Sequence, residues 1–458
     1  MTDSLAKDPT SEVDRSTISA RTLRRAVLAG VIGNYTEQYE FAVYAAMAPV
    51  LAAVFFANGN TLIGTLSVYA GLAIGFVVRP IGGFIFGRMG DSIGRKRILA
   101  LTIILMGLLT TCIGLLPTYA TLGVAAPILL IVIRLGQGLV AGGEYAGAVS
   151  FIVEYGPSHQ RARYTSFVAI SVFAGLLTGT GLTFALSELL GDTAMQDWGW
   201  RIPFLISLPM TVAGFYLRRS VAETPEFERE KAHRAKVAAT SDDLPATGII
   251  ETIRTQWKAI GVFSGIAITN AVLSYCWVAY IPGYLKSEQG MSLGLSTFST
   301  SIALLALLPL LYLSGRLSDR VGRKKMLLGG TLSAMVVAPL SLGIIESGGI
   351  VEVVVAQLIY LIPMFFISVT TTVCIAEMFP TRLRYTAGSI GFNVAFSFFA
   401  GTAPFVSSAL VAATGTIMSV AGYICAIAVI STAVILVFYK ETYRKDLADD
   451  DYNYAQTS

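Results

Sequence analysis

Long stretches without a single charged side chain recur from one end of this chain to the other, and no other feature restricts its fold so strongly. Residues 167–186, 262–285 and 353–372 hold no acidic or basic residue, and 124–133 and 301–313 are shorter runs of the same kind. A bilayer core about 30 Å thick is crossed by about 20 apolar residues in a helix. In lipid the backbone must satisfy its own hydrogen bonds, which a helix does. Only 14% of the 458 residues are charged, against about 25% in a soluble domain. So few charges cannot cover a globule in water, and the sequence reads as an all-α membrane protein.

Apolar windows between polar breaks predict twelve spans, near 26–57, 62–87, 97–117, 122–154, 163–190, 201–219, 257–285, 293–314, 326–345, 351–377, 385–413 and 417–439. The polar first 25 residues, and an over-long first span holding Glu37 and Glu40, argue against a cleavable signal peptide. If the N-terminus is cytoplasmic, 29 of the 33 Lys and Arg fall in cytoplasmic segments. Only Arg201 and Lys286 are left outside, with Arg79 and Arg134 inside spans. Basic loops stay on the cytoplasmic side, so both termini are expected there, in the plasma membrane.

A polar break at 220–256 divides the chain. The expected organisation is a tail (1–25), a six-helix bundle (26–219), a cytoplasmic linker (220–256), a second bundle (257–439) and a second tail (440–458). The bundles repeat one another. GRMGDSIGRKR at 87–97 returns as GRLSDRVGRKK at 315–325, and Glu154…Pro157…Arg161 returns as Glu377…Pro380…Arg382. The displacements, 228 and 223 residues, are nearly equal, as an internal duplication requires. Parallel repeats about an axis along the membrane normal are a transporter architecture. In the repeated loop, Gly87, Gly94, Gly315 and Gly322 permit tight turns and close approach. Asp91 and Asp319 can cap a helix or pair with Arg95, Lys96 and Arg323.

These loops resemble the signature of the major facilitator superfamily, over nearly the whole chain between about 30 and 440. Further residues are similar to its metabolite:proton symporter branch, which includes carriers for shikimate, 2-oxoglutarate, citrate and proline or betaine. They are Gly33-Asn34, Glu37, Tyr39-Glu40-Phe41 and Tyr44; Arg79-Pro80-Ile81-Gly82-Gly83; Arg134, Gln137-Gly138 and Gly142-Gly143-Glu144; Gly199-Trp200-Arg201; Glu223-Thr224-Pro225-Glu226-Phe227; and Glu377-Met378-Phe379-Pro380-Thr381-Arg382. The first-span pattern departs from the branch by having Gln38 where an aromatic is usual and Glu40 where an aspartate is usual. The resemblance implies the major facilitator fold, twelve transmembrane helices in two pseudo-symmetric six-helix bundles.

An ionisable side chain at the bilayer centre costs about 2.5–3.5 kcal/mol, so the few present need partners or water. All the deep ones are in the first half: Glu37, Glu40, Arg79, Arg134 and Glu144. Glu37 and Glu40, three apart, share a helix face with Tyr44. Two carboxylates so close disfavour double ionisation, and loss of water favours a neutral carboxyl, a property proton coupling uses. Glu37, Glu40 and Glu144 are therefore the proton-coupling candidates, with a fixed ion pair to Arg79 or Arg134 as the structural alternative. Arg79 and Arg134 are candidate anchors for a carboxylate, with Gln137, Tyr44 and Asn34 beside them. The second half offers Asn270, Tyr275, Trp277 and Asn393, which serve packing as readily as binding. Glu154 and Glu377 lie beside the basic loops next to Arg161 and Arg382, where a gating role fits.

The expected function is proton-coupled symport of a small organic acid or zwitterion by alternating access. A proton-driven exporter and a sugar porter of the same fold remain open, and a non-transporting membrane sensor fits less well. The chain has no nucleophile–base or metal-ligand cluster that suggests an enzyme. Gly136, Gly138 and Ala141 match a dinucleotide loop only in spacing, since no strand precedes them. The expected partners are a small-molecule substrate and the lipid bilayer, not nucleic acid, and the chain is read as a monomer. No cofactor is expected beyond the coupling ion, H+.

Overall fold

The structure is a computed structural model. It describes residues 20–56, 61–93, 95–142, 144–155, 158–219, 249–380 and 384–443. Twelve helical segments follow one another along these residues. Among the described residues, nine helices are long and apolar enough to cross a membrane. The first segment, helices Ala20–Ala46 and Ala48–Phe55, makes a tenth if its bent pair Val31–Ala46 and Ala48–Phe55 is one span; the bend is 62°. Two shorter apolar helices, at 100–115 and 201–217, take the third and sixth places. The twelve expected windows thus each receive a helix. The seventh begins at Ile249, so the last residues of the expected linker are already helical, while 220–248 lie outside the described residues.

Breaks occur where the sequence supplies a reason. Pro49 sits in the first turn of Ala48–Phe55, just past the bend, where its missing N–H costs nothing. The second segment breaks between Thr61–Val77 and Arg79–Ile93, ahead of Pro80. The fourth breaks between Ala125–Ala141 and Glu144–Tyr155, at Gly142. Single π turns interrupt the seventh segment at Cys276–Tyr280 and the eleventh at Phe396–Ala400. Such turns bend a helix and free backbone groups, and they concentrate at functional sites. Both are beside the central cavity.

Glycines determine how the second and fourth segments meet. A Cβ on Gly138 would overlap the Gly75 carbonyl, and one on Gly82 would overlap the Leu139 carbonyl. The two backbones therefore touch, the close crossing that small residues permit in lipid. This crossing brings Arg79 and Arg134 close behind the first segment.

The residues before and after 220–248 meet at both ends of the bundle. At the basic-loop end, Asp319 in the eighth segment (Leu293–Val321) accepts the backbone N–H groups of Ala162 at 3.1 Å and Arg163 at 2.9 Å. These residues open the fifth segment, Arg161–Ala194. At the opposite end, Lys286 pairs with Asp192 at 2.5 Å and the Tyr69 hydroxyl donates to the Ala279 carbonyl. Between these ends, Tyr145 bonds Thr372 at 2.8 Å, and the Asn393 amide donates to the Gly142 carbonyl at 2.8 Å.

Candidate functional site

A cavity lies between these two sets of contacts. The first half lines it with Glu37, Gln38, Phe41, Arg79 and Tyr145, and the second with Asn270, Ser274, Tyr275, Ser368, Thr372, Ser389, Phe392, Asn393 and Phe396. Its free volume is about 50 Å3, room for a few waters. Anything of metabolite size enters only when its walls move.

The polar groups in it carry both signs of charge. Arg79 NH2 is 2.9 Å from Glu37 Oε1, both side chains being less than a tenth exposed. The guanidinium lies 3.7 Å above the Phe76 ring, a favourable cation–π position, and its Nε is buried with no hydrogen-bond partner. Arg79 is thus the partner of Glu37, one of the two arginines expected to pair with it. Opposite it are Asn270, which accepts from Ser368 at 3.2 Å, and Asn393. The walls are aromatic. Tyr145 stacks on Phe392 at 4.3 Å, Phe392 on Phe396 at 4.1 Å, and Phe41 leans on Tyr275 at 4.6 Å.

Glu40 belongs to a different place. It is 1% exposed, is absent from the cavity lining, and ends a directional chain of hydrogen bonds through the wall. Arg134 NH1 donates to Gln137 Oε1 at 2.8 Å, and Gln137 Nε2 donates to Thr110 Oγ1 at 2.7 Å. Thr110 Oγ1 lies 2.6 Å from Glu40 Oε2 and 3.0 Å from the Met106 carbonyl, with one proton to give. If Glu40 is ionised, Thr110 donates to it. If Glu40 is protonated, Glu40 donates and Thr110 turns its own proton to Met106. A hydroxyl rotation thus accommodates both forms. Glu40 Oε1 is buried and unpartnered, as are Arg134 Nε and NH2. Among the described residues no carboxylate pairs with Arg134, whose guanidinium instead covers the Tyr44 ring at 3.2 Å.

The remaining candidates scatter. Tyr44 bonds the Val68 carbonyl at 3.2 Å, outside the cavity. Asn34 is buried with an unpartnered Nδ2, also away from the cavity. Trp277 does not line it either, because its indole donates to Gln357 at 2.8 Å inside the second half. Glu144 opens the helix after the Gly142 break and is half-buried. Sequence reasoning missed Tyr145, Phe392, Phe396 and Thr110, and read Gln38 and Phe41 only as part of the first-span pattern. Tyr145 and Phe392 each adjoin a candidate, Glu144 and Asn393, and that adjacency was the only available signal.

At the basic-loop end, Glu377 holds Arg323 through two bonds, Oε2 to Nε at 3.0 Å and Oε1 to NH2 at 2.8 Å. Asp319 is 3.0 Å from the same guanidinium, and Arg161 reaches Glu377 at 3.9 Å from the other half. A Cβ on Gly315 would meet the Ala162 carbonyl at 2.6 Å, so that glycine permits the approach. Gly322 takes φ +98°, which a side chain would strain. Of the first-half copy, Gly94 and Pro157 lie outside the described residues, as do the side chains of Asp91, Arg95, Lys96 and Glu154 and the environment of Gly87. Arg382 lies outside them too.

Comparison with known proteins places this arrangement. The Major Facilitator Superfamily model matches residues 38–394. The proline/betaine transporter of Escherichia coli K12 is 33% identical over 436 residues, 95% of this chain and 87% of the relative. A glycine betaine/proline/ectoine/pipecolic acid transporter, OusA of Dickeya dadantii, is 34% identical over 440 residues, 95% and 86%. A putative proline/betaine transporter of Staphylococcus aureus is 35% identical over 435 residues, 94% and 91%. In fold, the chain is similar to the proton:xylose symporter XylE bound to 6-bromo-6-deoxy-D-glucose. That match has a TM-score of 0.71 at 19% identity and covers 94% of this chain and 98% of the other. A partially occluded inward open form of XylE from E. coli gives a TM-score of 0.72 at 19% identity, covering 93% and 100%. The chain therefore belongs to the Major Facilitator Superfamily and is a multi-pass membrane protein, a secondary transporter.

Proposed function

We propose that the chain is a proton-coupled symporter of a small zwitterion of the betaine or proline kind. The observation that carries this reading is the Glu37–Arg79 pair, charges of both signs inside an aromatic cavity. Arg79 is suited to a carboxylate, while Glu37 and the faces of Phe41, Tyr275 and Phe396 are suited to an ammonium whose methyl groups cannot hydrogen-bond. A simple anion would meet Glu37 uncompensated. Asn270 and Asn393 supply neutral contacts from the second half. The transporters named for proline and betaine among the relatives agree with this choice.

Glu40 is the proton carrier in this reading, because Thr110 serves it in either protonation state. Arg134 and Gln137 tie it to the fourth segment, and Glu37 and Glu144 lie in the same polar region. Alternation proceeds by rocking of two six-helix units, 26–219 and 257–439, joined by a linker at 220–256. The Asp319 and Glu377 contacts close one end. That end faces the cytoplasm, with both termini, on the strength of the 29-to-2 division of basic residues. The cavity lies within a single chain, so a monomer suffices.

Uptake of glycine betaine and proline into proteoliposomes tests the proposal. An inward proton gradient is expected to drive accumulation, and an uncoupler to abolish it. Accumulation indifferent to the gradient would remove proton coupling, and preference for a net anion such as 2-oxoglutarate would remove the zwitterion.

A further inference from the structure

A second and roomier cavity lies at the end of the bundle opposite the basic loops. It is bounded by Thr61–Val77 of the second segment, Ile281–Ser287 of the seventh and Ala403–Thr414 of the eleventh. Its volume is about 370 Å3, several times that of the central one. Three tyrosines line it: Tyr69, Tyr280 and Tyr284. The rings of Tyr280 and Tyr284 are 5.9 Å apart and tilted by 40°, so they form two sides of a corner rather than a closed stack. Tyr69 is fixed against the seventh segment by its bond to Ala279, with its hydroxyl beside Gly283.

Two features say what such a corner takes. Among the described residues, the only charged group in the lining is the exposed carboxylate of Glu288, and no Lys or Arg lines the cavity. Tyrosine faces carry negative electrostatic potential and attract cations placed within about 6 Å. Two hydroxyls in the wall, Thr65 Oγ1 and Ser287 Oγ, are buried and have no hydrogen-bond partner. Thr65 is only 6% exposed, and a buried hydroxyl without a partner is costly. We propose that this cavity is an outer binding site for a zwitterion bearing a methylated ammonium. The cation sits against Tyr280 and Tyr284, and the carboxylate accepts from Thr65 and Ser287 once these side chains rotate towards the cavity. Glu288 draws the cation in.

The site is in line with the central cavity. Tyr275 and Val278 line the inner space and Tyr280 the outer one, so a single turn of the seventh segment, the π turn Cys276–Tyr280, separates them. The order of the two sites rests on the central cavity being the transport site, whereas binding at the outer one does not.

Calorimetric titration of the purified protein tests this with glycine betaine, tetramethylammonium and, as a carboxylate without the cation, acetate. Two sites are expected for betaine, the outer of which takes tetramethylammonium but not acetate. Tyr280→Leu should weaken the outer site about tenfold or more, while Tyr280→Phe, which keeps the ring, stays within about threefold. Glu288→Gln, at an exposed position that folding does not need, should weaken tetramethylammonium by up to about fivefold. The double variant Glu37→Ala/Arg79→Ala should retain tetramethylammonium binding even if uptake fails, which separates this proposal from the reading of the central cavity. Equal tetramethylammonium binding by Tyr280→Leu and wild type, or binding of acetate by the Glu37→Ala/Arg79→Ala variant, would overturn it. So would betaine heats that vanish in phosphatidylcholine nanodiscs but persist in phosphatidylglycerol ones, since the occupant would then be a lipid headgroup.

Discussion

Asp319→Asn tests whether the basic-loop end is a closed gate. The first N–H groups of a helix lack partners within it, and two of them, at Ala162 and Arg163, are taken by the two oxygens of Asp319. The carboxylate also faces the positive end of the helix dipole. Asparagine keeps one acceptor but turns its NH2 towards the second N–H and removes the charge. Loss of a cap costs about 0.5–2 kcal/mol and loss of a dipole-facing charge about 0.3–1 kcal/mol. With one acceptor retained, a net loss of about 1–2 kcal/mol is expected. Asp319→Asn also removes the ion pair to Arg323 within the second half, but Arg323 keeps both bonds to Glu377. That internal loss is shared by the open and closed forms, so the difference between them falls on the contact between halves. That contact exists only while this end is closed, so the balance should move towards the open form by a factor of about 5–30. A reporter cysteine at Ser389 on the cavity wall, with the four native cysteines replaced, can be labelled by an impermeant maleimide in inside-out vesicles. Labelling should accelerate by that factor in Asp319→Asn. An unchanged rate, in a variant with wild-type thermal stability, would refute the argument that this cap holds the end shut.

Three further outcomes follow from the interior. Thr110→Val leaves Glu40 with no donor for its ionised form; a hydrogen bond to a charged group is worth about 1.5–3 kcal/mol, so proton-driven net uptake should fall about tenfold or more. Substrate exchange at equilibrium, which needs no proton release, should persist, and comparing counterflow with net uptake checks it. Arg79→Ala strands Glu37 in the interior and should destabilise the protein by about 3–5 kcal/mol; adding Glu37→Gln should restore the thermal midpoint without restoring transport. Gly138→Val forces a side chain into the Gly75 carbonyl, so little folded protein should be recovered from membranes on size exclusion, whereas Gly261→Ala, where nothing lies nearby, should behave as wild type.

Much of this molecule was legible before any coordinates, because membrane insertion is decided locally. Whether twenty residues can cross a bilayer depends on those residues alone, so the helical segments appeared in the expected windows. The duplicated loops were readable as motifs, since Gly322 turns the chain and Asp319 pairs with Arg323 within a few residues, but the caps that Asp319 gives to Ala162 and Arg163 in the other half were not. The deep charges were recognisable for the same reason, each being expensive wherever it lands. Pairing among them was not. Glu37 and Glu40 are three residues apart on one helix face, yet Glu37 meets Arg79 on the cavity wall while Glu40 turns away from the cavity towards Thr110. Arg134 lies over Tyr44 rather than on a carboxylate. Trp277, chosen for its position in the seventh segment, serves Gln357, while Tyr145 and Phe392 form the wall. Those outcomes depend on how deeply the second and fourth helices interlock at Gly75 and Gly138 and where the seventh and eleventh break into π turns. Hydropathy adds up along a chain, but which side chains face one another depends on the crossing of helices distant in sequence, and only the tertiary structure decides that.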